Sequence, residues 1–322
     1  MNKMRESFGS RLGFILASAG CAIGIGNVWK FPYVAGQNGG GIFVLFYLVF
    51  LVLMGIPILI MELSIGRASR ETIVQGYKKL EKKGTKWHLH GWACIAGNYI
   101  LMMFYSTVAG WMLAYFFKFL KGDFRNIKTD KISGIFSDLL ENPVEMLIYT
   151  TIIIVVGFAV LSLGVNKGLE RFNKYMMAGL FILILVLALN SVMLKNSGAG
   201  LRFYLLPNLA TLKKVGILKV ITAAMTQAFF TLSLGIACME VFGSYMSNNY
   251  TLAGEAVKIC ALDTVVALFS GLIIFPACFA YGIKPTEGPS LIFIAIPSVF
   301  ANMKAGWIYT IKVDTFYETL YH

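Results

Sequence analysis

The stretch "ASAGCAIGIGNVWKFPYVAGQNGGG", residues 17–41, begins like a membrane-spanning helix and then breaks. The run at 12–19 is almost wholly apolar, but glycines follow at 20, 24 and 26, and a proline at 32. Glycine weakens a helix interior and proline removes a backbone donor. Since lipid supplies no replacement hydrogen bonds, irregular backbone at membrane depth is tolerated only when it is buried in protein or lines a cavity. The stretch therefore predicts an interrupted transmembrane helix beside a cavity.

The composition is that of a helical membrane protein. Of the 322 residues, 57% are hydrophobic and 14% are charged, where a soluble domain has about 25% charged residues. The apolar residues fall in long runs separated by short polar stretches, which is typical of a polytopic α-helical protein. The net charge of +12 does not indicate nucleic-acid binding, because the lysines and arginines lie at the ends of apolar runs.

The apolar runs predict an all-α polytopic membrane protein with one transmembrane domain over 1–322. Each run has close to the roughly 20 residues that a bilayer requires. The predicted spans are 11–36, 42–66, 91–120, 146–163, 172–194, 217–245 and 255–281. The segment 195–216 is predicted to be an extramembrane loop.

The basic residues also bear on orientation in the cell membrane. Lysines and arginines are equally numerous on the two sides of the seven spans, so the total does not decide. Early positive charges and short loops weigh most in orientation. Because Lys3, Arg5 and Arg11 lie before or at the start of the first span and the loop 67–90 is rich in lysine, we expect a cytoplasmic N-terminus and a multi-pass topology.

The sixth span has an interruption of its own. Residues 227–242, "QAFFTLSLGIACMEVF", place Thr231, Ser233 and Gly235 inside an apolar run. In transporters built from inverted repeats, interrupted spans at corresponding positions of the two halves point to the binding site. Here the first and sixth spans are interrupted, so the repeat would be five helices. The first repeat would cover about 11–194 and the second would begin at about 217–281. The alternative for the first break alone is a close helix contact through Gly20 and Gly24.

Broken helices expose backbone groups that bind ions. Free carbonyls and the amide oxygen of Asn27 suit a hard cation, whereas the N–H groups of residues 24–26 suit a carboxylate. Asp263 is an ionisable residue within an apolar span, which indicates a functional site by default. The alternative for Asp263 is a satisfied hydrogen bond between helices.

Several stretches resemble the neurotransmitter:sodium symporter family, in its bacterial amino-acid branch. They are "SRLGFILASAGCAIGIGNVWKFPYVAGQNGGGIF", "GIPILIMELSIGR", "NKGLERFNKYMM", "QAFFTLSLG" and "ALDTVVALFSGLIIFPACFAYG". The resemblance extends over about 5–307. Family members have twelve spans, so the chain resembles about seven of twelve, with 282–322 as the start of an extracellular loop and an atypical tail. The resemblance implies an inverted-repeat transporter fold with helices 1 and 6 interrupted.

Two sodium sites are implied by the resemblance. The first would use the carbonyl of Ala22, the side chains of Asn27, Thr231 and Asp263, and the substrate carboxylate. The second would use the carbonyls of Gly20 and Ile23. Some relatives require chloride beside the positions of Tyr47 and Gln227. Since Asp263 would supply a fixed negative charge there, we expect chloride not to be required.

The substrate site is implied in the same way. The carboxylate would meet the backbone of Gly24, Ile25 and Gly26 and the hydroxyl of Tyr105. The amine would meet the carbonyls near Ala22, Phe230 and Thr231 and the hydroxyl of Ser233. The substrate side chain would lie among Leu101, Tyr105, Phe230 and Ile236. Glycine at position 24 favours an amino acid over a monoamine, because amine-transporting relatives have an Asp there.

Gating and bracing residues are also implied. Arg5 resembles the arginine of the cytoplasmic gate, with Ser244 and Tyr245 as neighbours. Lys30 stands where the family usually has an outer-gate arginine, and Phe230 resembles the aromatic lid. Glu62 resembles a structural glutamate that braces the unwound first helix.

The expected function is sodium-coupled symport of a neutral, apolar or aromatic amino acid by alternating access. The alternative is a transport-incompetent remnant of such a symporter, because the resemblance stops after the seventh span. An enzyme is not expected, since no nucleophile–base or metal-ligand pattern is present. The expected partners are a small amino acid and the lipid bilayer, not nucleic acid, and the sequence leaves open whether the chain forms a homo-oligomer.

Overall fold

The computed structural model describes residues 7–124 and 129–282, together with Phe293 and Pro297. Within these ranges all regular structure is helical, as the sequence predicts. The α-helices are α1 (Arg11–Ala22), α2 (Phe31–Gln37), α3 (Gly41–Phe50), α4 (Ile56–Ser69), α5 (Ile73–Leu80), α6 (His88–Lys121), α7 (Thr129–Glu141), α8 (Pro143–Ser162), α9 (Arg171–Val192), α10 (Ser197–Leu205), α11 (Leu209–Val215), α12 (Ile217–Thr231), α13 (Cys238–Ser244) and α14 (Leu252–Tyr281). Short π-helical turns lie at Gly26–Lys30, Leu51–Gly55 and Val165–Glu170.

The predicted spans correspond to helices with closely matching ends. Five helices of the described chain are long and apolar enough to cross a membrane: Gly41–Ser69, His88–Lys121, Pro143–Ser162, Gly168–Val192 and Leu252–Tyr281. The first predicted span is a pair of helical segments, Arg11–Ala22 and Gly26–Gln37, bent by 54° at the break. The sixth consists of α12 and α13, which are shorter and separated by a turn.

The break in the first span follows directly from its sequence. Helix α1 begins at Arg11, after the N-cap residue Ser10, whose side chain accepts a hydrogen bond from the N–H of Gly13. It ends at Ala22, and Ile23 then has extended backbone with φ −72° and ψ 105°. The next helical segment starts at Gly26 with a π-helical turn, a feature that is frequent at functional sites.

The break in the sixth span contains residues in the left-handed region. Ser233 has φ 53°, Gly235 has φ 83° and Ala237 has φ 59°. This conformation costs an L-residue other than glycine roughly 1–2 kcal/mol. Two such non-glycine residues within five positions persist only because neighbouring helices hold the segment, and strain of this kind clusters at functional sites.

Close packing between α4 and α13 supports the half-helix that follows this break. A methyl group at Gly66 would overlap the backbone carbonyl of Glu240. A methyl group at Gly243 would lie 2.5 Å from the carbonyl oxygen of Leu63. The two glycines therefore let the backbones of α4 and α13 approach each other, as small residues do between membrane helices.

The segment 195–216 is not the loop that the sequence predicts. It forms α10 and α11, and α10 packs against α14. Tyr204 is buried, and its hydroxyl donates to the carbonyl of Leu268 at 3.0 Å. The prediction was wrong because the segment is too short and too polar to resemble a span, whereas tertiary packing against α14 stabilises it as a helix.

The polar segment at 67–90 contains α5 and a short link to α6. His88 bonds with Glu81 through both its backbone N–H and its ring, with Nδ1 2.9 Å from Oε1. Burial raises the pKa of the Glu81 carboxyl, but the hydrogen bonds from His88 outweigh it and hold that pKa below its ordinary value. The contact fixes the approach of the chain to α6.

Candidate functional site

The two breaks meet through a buried polar cluster. The side-chain amide of Asn27, just after the first break, donates to Asp263 Oδ1 at 2.8 Å and to the Asp263 carbonyl at 3.1 Å. Thr231, at the end of α12, donates to Asp263 Oδ2 at 2.9 Å. All three side chains are fully buried. The structure thus brings together three residues that lie on three different spans and that the sequence assigned to the first sodium site.

This cluster has the chemistry of a hard-cation site. It combines one carboxylate, one hydroxyl and one amide, and Asn27 Oδ1 lies 3.4 Å from the N–H of Gly24. Hard cations prefer oxygen ligands, and the described residues contain no group of three His, Cys, Asp or Glu that would suit a transition metal. A buried carboxylate without a cation requires compensation by hydrogen bonds, which Asn27 and Thr231 provide. The donor set fits Na⁺.

The carbonyls implied for sodium lie at the C-terminal end of α1. The last four carbonyls of a helix have no partner within it. Here the carbonyl of Ala19 accepts from Ile23 N–H at 2.7 Å, and that of Cys21 accepts from the Ser233 hydroxyl at 3.5 Å. Ala22 is buried in the same turn, between Cys21 and Ile23. Gly20 faces α9, where an added methyl group would lie 3.1 Å from Asn173 Oδ1.

Two aromatic rings face the glycines of the first break. A methyl group at Gly24 would lie 3.7 Å from the Tyr105 ring, which is ordinary contact and leaves the position open. A methyl group at Gly26 would lie only 2.9 Å from the Phe230 ring. Unlike the sodium-site side chains, Tyr105 and Phe230 are only partly buried. The glycine backbone therefore lies beside two rings that are not fully buried, one on α6 and one on α12.

A cation lies over one of these two rings. Lys30 Nζ lies 3.2 Å from the centroid of the Phe230 ring. Lysine over an aromatic face is attracted by the ring quadrupole. The structure thus places the sequence-predicted outer-gate cation directly against the sequence-predicted lid.

Other predicted substrate residues take different positions. Leu101 lies four residues before Tyr105 on α6, which places both on one helix face. Ile236 belongs to the second break and is partly buried. The side chain of Ile25 packs instead with the cluster around Val108 and Tyr115, so only its backbone borders the site.

Glu62 braces a different break from the one expected. Its Oε1 accepts from the N–H of Gly235 at 2.6 Å, in the sixth span rather than the first. The family resemblance implies that Glu62 braces the first break. In the structure its partner lies in the sixth span instead. The left-handed conformation of Gly235 turns its N–H towards α4, which sequence spacing does not reveal.

The predicted inner-gate residues lie at the far end of α13. Ser244 is fully buried and its hydroxyl donates to the carbonyl of Val241 at 2.5 Å. The ring of Tyr245 meets that of Phe8 edge-on at 6.3 Å. Arg5 lies outside the described residues.

Sequence reasoning missed Asn98 and Cys238. Asn98 donates to the carbonyl of Ile236 at 2.7 Å, and Cys238 Sγ lies 3.2 Å from Asn98 Oδ1. A signal was available, because Asn98 is a polar residue in the apolar third span, "CIAGNYILMMF".

The chain is similar to known sodium-dependent transporters. A family model described as the sodium:neurotransmitter symporter family matches residues 5–131 and 123–320. An uncharacterized sodium-dependent transporter, YhdH of Bacillus subtilis strain 168, is 37% identical over 302 residues, which cover 94% of this chain and 66% of that protein. One from Haemophilus influenzae is 33% identical over 319 residues, with 96% and 69% covered.

A solved structure shares the fold. The crystal structure of MhsT in complex with L-phenylalanine matches with a TM-score of 0.87 and 39% sequence identity, covering 95% of this chain and 69% of that one. The chain thus spans about two thirds of the length of these three proteins.

Proposed function

The chain belongs to the sodium:neurotransmitter symporter family, whose members are sodium-dependent transporters, and from this premise we propose that it mediates sodium-coupled uptake of a neutral amino acid. Asn27, Thr231 and Asp263 would bind Na⁺ together with the carbonyl of Ala22. Substrate would bind beside them at the two breaks. Because the chain spans about two thirds of its relatives, transport by the whole protein is part of the proposal.

One observation supports the proposal above the others. A fully buried carboxylate, Asp263, joins the two interrupted spans through Asn27 and Thr231. An ionised group at membrane depth is costly unless it is paired, and such residues mark ion pathways. Binding of Na⁺ at this point would therefore link the halves of the site that must move against each other.

The lining of the adjacent space supports an apolar or aromatic substrate side chain. Leu101, Tyr105, Phe230 and Ile236 would surround it, whereas the open position at Gly24 leaves room for the substrate carboxylate. The chain's similarity to MhsT, which was crystallised with L-phenylalanine, points in the same direction. We therefore propose L-phenylalanine and L-leucine as the first substrates to test.

The test is uptake of radiolabelled L-phenylalanine into proteoliposomes under an inward sodium gradient. Uptake that collapses when Na⁺ is replaced by choline supports symport. Asn27→Ala should abolish the sodium-dependent part. Absence of sodium-dependent uptake and of sodium-dependent binding in the wild type would contradict the proposal and favour the alternative, a transport-incompetent remnant.

The placement in the membrane is also proposed. We place the protein in the cell membrane with a cytoplasmic N-terminus, because the lysine-rich segment that contains α5 follows the second span. Modification of the exposed Lys82 or Lys83 by an impermeant amine reagent should then occur only in inside-out vesicles.

Lys30→Ala is expected to speed dissociation of bound amino acid about fivefold, because it removes a partly desolvated cation–π contact of about 1 kcal/mol from the lid. Lys30→Arg should stay close to the wild type, because guanidinium also stacks on aromatic faces. Isotope-dilution kinetics with labelled L-phenylalanine measure the rate. Lys121→Ala, an exposed lysine at the end of α6, is the control. Equal rates for Lys30→Ala and the wild type would exclude a gating role.

Replacing chloride by gluconate is expected to leave uptake unchanged, since Asp263 supplies a fixed negative charge. Tyr47 and Gln227, which resemble the chloride-site neighbours, are both buried near the breaks. Gln227 Nε2 donates to the carbonyl of Gly26 at 3.4 Å, so this side chain has a hydrogen-bond partner within the protein when no chloride is bound. Initial uptake rates at constant Na⁺ provide the measurement, and a large loss in gluconate would refute the expectation.

A further inference from the structure

We propose that Asn98 on α6 is a positioning residue that holds the backbone of the second break and thereby sets selectivity for the substrate side chain. The proposal rests on the proposed function and deepens it. Asn98 lies on a different span from both breaks, and none of the residues implied by the family resemblance includes it.

Asn98 uses its whole side-chain amide at this point. Nδ2 donates to the carbonyl of Ile236 at 2.7 Å and to the carbonyl of Cys94, one turn earlier on α6, at 2.8 Å. Oδ1 lies 3.2 Å from Cys238 Sγ, which donates to it. A side-chain amide has two N–H donors and one oxygen acceptor, so both donors and the acceptor of Asn98 have a partner. The bond to Cys94 fixes the rotamer that presents the second N–H to Ile236.

The second break depends on such side-chain partners where its backbone pairing stops. The N–H groups of Ser233 and Leu234 still bond to backbone carbonyls at the end of α12. Gly235 N–H donates to Glu62 Oε1 at 2.6 Å, and the Gly235 carbonyl accepts from Cys94 Sγ at 3.7 Å. The Ile236 carbonyl then accepts from Asn98. Side chains from α4 and α6 thus satisfy three backbone polar groups at Gly235 and Ile236. Two of these contacts come from α6. The 2.7 Å bond from Asn98 is much shorter than the 3.7 Å contact from Cys94, so Asn98 is the main attachment of the break to α6.

The same helix face lines the space proposed for the substrate. Asn98, Leu101 and Tyr105 are spaced by three and four residues, so they form one stripe on α6. The Tyr105 ring faces Gly24 at the other end of this stripe. Asn98 ties the backbone of Ile236 to the α6 face that carries Leu101, and in this proposal that bond sets the depth of the space for the substrate side chain. Pocket depth determines how strongly a long side chain is preferred over a short one.

A role in packing alone predicts a different result. If Asn98 merely stabilised the fold, its removal would weaken binding of every amino acid and of Na⁺ together. A selectivity role instead changes the ratio of affinities for long and short substrates. Among the described residues, the hydrogen bonds of the sodium cluster of Asn27, Thr231 and Asp263 do not involve Asn98, so the cluster should keep its own affinity.

The experiment measures sodium-dependent binding of L-phenylalanine and L-alanine to the purified protein in nanodiscs. For Asn98→Ala and Asn98→Leu we expect the preference for L-phenylalanine over L-alanine to fall about tenfold, with sodium half-saturation unchanged. Asn98→Gln, which keeps the amide donors, should retain the preference to within about threefold. Ser106→Ala is the matched control, because the Ser106 hydroxyl bonds only within α6, to the carbonyl of Met102 at 2.7 Å. An unchanged ratio, or an equal loss for both amino acids, would overturn the selectivity role.

Hydrogen–deuterium exchange of a peptide covering 232–238 provides a readout that needs no ligand. Exchange should be faster in Asn98→Ala than in the wild type and in Ser106→Ala, because the break loses its attachment to α6. Unchanged exchange would overturn the proposal whatever the binding data show. If the wild type bound no amino acid, the proposed function and the selectivity role would fail together, while the exchange data would still decide whether Asn98 holds the break.

Discussion

Asp263→Asn is expected to weaken sodium affinity roughly 100-fold or more, equivalent to about 2.8 kcal/mol at 1.4 kcal/mol per tenfold change. The substitution removes the formal negative charge from the buried cluster between the two breaks. Asn has the shape of Asp, so its oxygen can still accept from Asn27 and its amide can donate to the Thr231 oxygen. We therefore expect a folded protein whose amino-acid binding no longer responds to Na⁺ at millimolar concentrations.

Sodium titration of L-phenylalanine binding measures this effect. Ser270→Ala is the matched control, because Ser270 is equally buried on α14 and its hydroxyl bonds only to the carbonyl of Val266 in its own helix. A sodium titration of Asp263→Asn that overlays the wild type would exclude Asp263 as a sodium ligand. The carboxylate would then be the satisfied hydrogen bond between helices that the sequence left open as an alternative.

Gly66→Ala is expected to destabilise the fold by about 3 kcal/mol or more, because the added methyl group would overlap the backbone carbonyl of Glu240. A flexible side chain could move aside, but a helix backbone cannot do so without separating α4 from α13. That separation would also displace Glu62, which accepts from Gly235 in the second break. Both stability and sodium-dependent binding should therefore be lost.

Thermal unfolding in detergent, followed by size-exclusion chromatography, measures this effect. Gly97→Ala is the control, since Gly97 lies in α6 and a methyl group there would meet nothing within 4 Å. Alanine has the higher helix propensity, so this variant should be as stable as the wild type or slightly more stable. A Gly66→Ala protein with wild-type stability would show that α4 and α13 are less closely packed than the structure indicates.

The span pattern was predictable because each span must satisfy its own backbone hydrogen bonds in lipid. Because of that requirement, a long apolar run predicts a helix, and the glycines at 20, 24 and 26 within such a run predict an interruption. The prediction was wrong for 195–216, where α10 is stabilised by burial of Tyr204 against α14. Such a helix depends on a partner 64 residues away in the chain, and local composition does not contain that information.

For the candidate site, the sequence predicted which residues come together better than it predicted the hydrogen bonds among them. Asn27 and Asp263 were identified as a polar residue at a break and an acid in an apolar span. The resemblance supplied Thr231, Phe230 and Lys30, and the structure brings each of them to the breaks.

By itself, the sequence determined a chain of apolar helices with two interruptions five spans apart, because lipid leaves the backbone so few alternatives. Only the tertiary structure decided which side chains satisfy the interrupted backbone. The bond from Gly235 to Glu62 depends on a left-handed residue that turns an N–H towards α4, and that from Asn98 to Ile236 depends on the approach of α6. Hydrogen bonds act over about 3 Å, so partners 138 and 173 residues apart along the chain are set by helix packing and not by sequence spacing.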